Sequence, residues 1–191
     1  MTNIAPSSLY DHRVSWFDLS ANLYPGDRVQ FVEPFPQPRF PGDMVPVGTN
    51  ATVIENGLNE IFCTLLLLPD ATEGDTRDDD ERAIFMGGHL NPGADTEDEP
   101  ESEESQEWFA KSPLVVRHAL GERKLHITVD DDDNANVLTV TCTVREFFRD
   151  NDGFAPSEIV AISAALVAGE EYVGGGGAAP IWRARLLPAT R

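Results

Sequence analysis

The chain has 191 residues, 41% of them apolar, and a formal charge of −19 at pH 7. That length buries a core without disulfides or metals, as one large domain or two small ones, while the negative charge opposes direct contact with nucleic acid. No run approaches the ~18 consecutive apolar residues of a membrane span, and residues 1–17 lack a basic stretch leading into an apolar one, so a soluble, cytoplasmic protein is expected.

Residues 1–24 carry scattered anchors, among them Tyr10, Trp16, Phe17, Leu19 and Leu23, and are expected to lie as an arm or short helix on a later surface. Pro25-Gly26-Asp27 marks a turn, after which residues 28–32 (RVQFV) alternate as a strand. Residues 33–46 hold five prolines and must form a long extended loop, because proline removes ladder donors and fixes φ. Residues 51–55 and 58–67 then read as strands joined by Asn56-Gly57, a pair that tolerates the positive φ of a tight hairpin. The run Leu65-Leu66-Leu67-Leu68 does not alternate, which predicts cover on both faces by the arm or by the second half of the chain. After an acidic loop, residues 83–86 are expected to add a short closing strand.

A Gly26-Asp27-Arg28-Val29 strand, a proline-bearing loop, the run Val47 to Val53 and a hairpin together resemble small SH3-like barrels, in which a strand, a long loop and a meander close on themselves. The resemblance spans residues 25–86, and Ala51 stands where such barrels often carry a glycine. It implies a small barrel at residues 25–90 and carries no function with it.

Residues 91–107 combine Pro, Ser, Glu and Asp with almost no apolar side chains and are expected to be a disordered acidic linker. Beyond it, residues 108–191 read as an α+β lobe. Residues 114–116 and 125–129 are strand-like, and residues 137–144 (VLTVTCTV) alternate most clearly, forming a second hairpin around a polar tip. One short helix is expected over residues 156–168, with Pro156 at its first position, Glu158 in its first turn and Gly169 as its stop. Residues 171–173 and 181–187 close the sheet around the Gly174 to Gly177 loop. The fold class is thus mainly β with minor α.

The negative charge is concentrated. Residues 70–81, 95–107 and 130–133 hold 19 of the 33 acids, so the rest of the chain is nearly neutral. A salt-adapted surface would spread its carboxylates, and a phosphate mimic needs them on rigid elements, which a solvated linker does not provide.

Candidate sites are few. Within the proline loop, Phe35, Arg39, Phe40 and Met44 are residue types enriched at interface cores, on a segment whose prolines lower the entropy lost on docking. The competing role for Phe35 and Phe40 is to fold back as a cap on the barrel. Asp130, Asp132, Asn134 and Asn136 place oxygens at alternate positions, as a calcium loop begins. Ala135 stands where the EF-hand glycine belongs and Thr141 where its glutamate belongs, so a weak metal site competes with a solvated tip. Cys63 and Cys142 sit in alternating apolar contexts and are expected to be free, buried thiols. The four histidines are isolated, no phosphate-binding or nucleophile-elbow motif is present, and no nucleophile, base and orienter assemble, so neither a cofactor nor catalysis is expected. These features point to a non-enzymatic protein–protein interaction or assembly protein, for instance a subunit of a bacterial or phage complex. Its partner would be another protein or further copies of itself in a homo-oligomer. An acidic inhibitor that imitates nucleic acid is the alternative.

Overall fold

Alternation along Arg28–Phe31 builds strand β1, whose valine and phenylalanine point inward and whose arginine and glutamine lie half-buried. The computed structural model describes residues 15–37, 44–58, 62–72, 74–89, 112–131, 136–151, 153–176 and 179–188. In chain order the other elements are α1 (Trp16–Ser20), β2 (Phe35–Pro36), β3 (Met44–Val45), β4 (Asn50–Leu58), β5 (Phe62–Pro69), α2 (Asp79–Arg82) and β6 (Ile84–His89). There follow β7 (Leu114–His118), β8 (Lys124–Asp131), β9 (Asn136–Thr143), α3 (Val144–Asp150), α4 (Pro156–Ala168), β10 (Tyr172–Gly176) and β11 (Ala179–Leu186). The expected mainly-β character holds. No described helix is long and apolar enough to cross a membrane.

The strands form an antiparallel sheet of order β6-β5-β4-β1-β7, a second of order β10-β11-β8-β9, and a small β2-β3 ribbon. In the first, β6 and β7 lie at opposite edges, so the described sheets are open and do not close into a barrel. Strand β7 comes from the later part of the chain yet pairs with β1, and Val32 N donates to Pro113 O at 2.8 Å just beyond that ladder.

The hairpin between β4 and β5 departs from expectation. Asn56 and Gly57 do not form its turn; they lie within β4, opposite Leu65 and Thr64, and the ladder continues to Leu58 opposite Cys63. The Asn56 amide instead donates to the carbonyls of Ser20 and Leu23 at 2.7 and 2.6 Å, tying the end of α1 to the sheet. A half-buried tertiary role for the side chain has overridden its local turn preference. Leu65, Leu67 and Leu68 are buried, and β5 touches both α1 and α4, so the leucine run is covered by an N-terminal and a C-terminal element.

Two apolar clusters result. One joins Leu19 and Leu23 to Val29, Phe31, Val53, Leu65 and their neighbours in the first sheet. The other packs α3 and α4 on the inner face of the second sheet, through Phe147, Phe148, Ile162, Leu166, Leu125 and Ala184. Helix α4 also touches β4 and β5, and Ile54 of β4 joins this second cluster, so the helix links both sheets.

Asp27 pins the same junction. Its carboxylate accepts from Tyr24 N at 2.9 Å, Leu120 N at 2.7 Å and Gly121 N at 2.9 Å, holding the start of β1 to the turn between β7 and β8.

Helix α4 spans Pro156–Ala168, with Gly169 ending it in the left-handed conformation, as its sequence signals predict. The expectation of a single helix is corrected by α3. A Thr143-x-x-Glu146 capping box starts it: Thr143 Oγ1 accepts from Glu146 N at 3.1 Å, and the Glu146 carboxylate accepts from Thr143 N at 2.8 Å. That pattern was readable, but the valine-threonine alternation of β9 runs directly into it.

Candidate functional site

Strand alternation assigns the faces of the second sheet. Leu125, Ile127 and Val129 of β8 lie opposite Cys142, Val140 and Leu138 of β9, and opposite Leu186, Ala184 and Trp182 of β11, so these side chains share the inner face. Helix α3 covers part of it with Phe147 and Phe148. Phe147 lies 5.3 Å from Phe154 and 5.7 Å from Trp182, ring centre to ring centre, in an aromatic cluster that closes one end of the face. The Trp182 indole lies against the backbone of Gly174: a Cβ there would stand 2.3 Å from Trp182 Cε2. The glycine-rich stretch is thus a seat for a tryptophan, where the sequence suggested only a loose strand connection.

Beyond the aromatics the inner face is open. A groove of about 880 Å³ is floored by Ile127, Val129, Val140 and Cys142 and walled by Phe147 and Phe154. Its charged lining is acidic: Glu146, Asp150 and Glu158 border it, and among the described residues no lysine or arginine does. Arg149 pairs with Asp150 at 2.8 Å and offsets that charge. Hydrogen bonds from Thr143 hold the Glu146 carboxyl below its usual range, so it stays ionised at neutral pH. Burial, with Glu146 and Asp150 adding to it, pushes the Cys142 thiol up, leaving the sulfur protonated at neutral pH and slow to react.

The groove runs beside a free strand edge. Strand β9 pairs with β8 over eight consecutive positions without a bulge and, among the described residues, has no partner on its other side. Residues 137–141 are all exposed, with Val137 at 60%, Leu138 at 61% and Val140 at 51% of full exposure. Proteins blunt such edges with proline, charge, bulges or brevity. Two other edges show these devices, β10 through its bulge against β11 and β7 through its brevity and its closing Arg117 and His118, while β6 is interrupted only by Gly87-Gly88. Strand β9 has none.

The residues singled out from the sequence fall elsewhere. Phe35 and Met44 lie on opposite faces of the β2-β3 ribbon, since Phe35 pairs with Val45 and Pro36 with Met44. The Phe35 ring is half-buried, 5.9 Å from Phe31 and against the first core, while Met44 faces out. Arg39 and Phe40 lie outside the described residues, as do residues 91–107. In the β8-β9 hairpin, Asp130 pairs with Arg183 at 2.7 Å, Asn136 begins β9, and Asp132 and Asn134 lie outside the described residues. Among the described residues no group of three or more His, Cys, Asp or Glu is placed to hold a metal ion.

The first acidic stretch is knitted into the fold. Asp70 pairs with Arg28 at 2.5 Å, Asp75 with Arg77 at 2.7 Å and Asp79 with Arg82 at 2.6 Å, while Asp78 caps α2. Asp79 also accepts from Ser157 N at 3.0 Å, tying α2 to the first turn of α4.

Sequence reasoning recognised β9 as a strand but not as an edge. Its signal was the absence of any charge, proline or glycine from Asn136 to Thr143. The chain matches no protein-family model, no curated protein and no solved structure. Function is therefore read from the chemistry of this edge and groove.

Proposed function

We propose that the protein is a non-enzymatic protein-binding or assembly protein whose contact surface is the free edge of β9 with the apolar groove beside it. The observation that carries this reading is the eight-residue, unbulged, uncharged edge with Val137, Leu138 and Val140 exposed. An extended segment added along β9 would pair its free backbone groups and cover those side chains at once, with backbone bonds supplying affinity and alternate side chains supplying specificity. The segment at residues 33–46 is a second contact region in this proposal, with Met44 as its exposed apolar group.

Placing a photo-crosslinking amino acid at Val140, in cells that make the protein naturally, tests the assignment. A discrete protein adduct at Val140, with none when the same group replaces the exposed Glu170, is the expected result. Equal, diffuse labelling at both positions would overturn it.

A further inference from the structure

We infer that the occupant of the β9 edge is an extended segment of a different, basic protein: apolar residues on alternate positions, flanked at both ends by lysine or arginine. This rests on the binding surface proposed above and adds the chemistry of what it binds.

Charge at the two ends of β9 carries the inference. Asp130 and Asp131 close the β8 side of the hairpin at one end of the strand, and Asp130 is offset by Arg183. Past the other end stand Glu146 and Asp150, with Glu158 across the groove, and among the described residues only Asp150 of these three has an arginine bound to it in an ion pair. Between the ends, the strand and groove floor are uncharged. A matching chain is therefore basic at its ends and apolar on the side that faces Leu138 and Val140, with about eight residues to run the length of β9.

The same charges argue against a second copy. Antiparallel self-pairing centred near Thr139 would set the start of one β9, beside Asp130 and Asp131, against the end of the other, beside Glu146. Like charges would face each other at both ends, between two chains that each carry −19.

The test uses the full chain carrying Cys63→Ser, so that Cys142 at the groove floor is its single thiol. The probe is a synthetic peptide of about ten residues, valine alternating with threonine and lysines at both ends. A second peptide replaces the lysines with glutamates, and a third and a fourth methylate the backbone amides on alternate residues, one for each alternation. Binding is read by fluorescence anisotropy and by slowed maleimide labelling of Cys142. The lysine peptide should bind and protect Cys142, and should weaken with added salt. The glutamate peptide should bind about tenfold more weakly or less, given two or three rim charges. Methylation should abolish binding for one of the two possible alternations, because only alternate amides face β9. Val140→Lys, at an exposed position, should remove lysine-peptide binding while leaving the melting temperature unchanged.

Equal binding of the lysine and glutamate peptides would overturn the inference, as would binding of neither. Concentration-dependent dimerisation that Val140→Lys abolishes would assign the edge to a second copy and overturn it too. Cys142 protection that is lost on deleting residues 1–14 or 90–111 would assign the groove to the chain's own segment, with the same consequence. A discrete Val140 adduct to a protein segment without basic flanks would defeat this inference alone. Without any discrete adduct, the binding surface itself falls.

Discussion

Replacing Asp27 by alanine sets two effects of known sign against each other. The side chain is buried, and its three backbone donors favour its charged form, yet burial wins and raises its pKa from 3.8 to about 6. Alanine leaves the buried N–H groups of Leu120 and Gly121 without this acceptor, at about 1–3 kcal/mol each, and loosens the half-buried Tyr24 N–H as well. It also relieves the cost of a buried charge. With a folded pKa above the unfolded one, Asp27 contributes stability that is full below about pH 4 and is lost as pH rises through about 6. The shift corresponds to roughly 3 kcal/mol in all, of which about 1.4 kcal/mol separates pH 5 from pH 7.5. Urea unfolding followed by circular dichroism should therefore find Asp27→Ala destabilised by about 2–6 kcal/mol at pH 5, and by about 1.4 kcal/mol less at pH 7.5. Asp27→Asn should lose the pH dependence: its oxygen can keep the bonds from Leu120 and Gly121, and its amide meets the Tyr24 donor. A destabilisation by alanine that grew with pH would refute the reasoning, since it would mean that the three donors outweigh burial.

Gly174→Val should evict the Trp182 indole from its seat and cost about 3 kcal/mol, seen as a lower melting temperature with altered near-ultraviolet dichroism. Thr143→Ala removes half of the capping box that starts α3 and should cost about 1 kcal/mol in chemical denaturation; Thr143→Ser, which keeps the hydroxyl, should recover most of it. Leu138→Lys puts a charge on an exposed edge position, so stability should change by less than about 0.5 kcal/mol. Light scattering on heating should show less aggregation of that variant, because the edge is then protected by charge.

Much of the local structure was legible from the residues alone. Pro156, Glu158 and Gly169 bound α4 because capping chemistry is local, and the alternation of β8 and β9 is a property of each strand by itself. The non-alternating leucines of β5 implied cover on both faces for the same reason. Tertiary structure decided what sequence periodicity cannot carry: which strands become neighbours. A strand's own pattern looks the same whether one or both of its edges are paired, so β7 joining β1 and β9 remaining an edge were not visible in the chain. The same holds for single side chains with a local preference and a distant partner. Asn56 prefers turns but serves the carbonyls of Ser20 and Leu23, and Gly174 suits a flexible loop but leaves room for Trp182. Local propensities are worth at most about 1 kcal/mol per residue, and a pair of half-buried hydrogen bonds or a packed indole ring outweighs them.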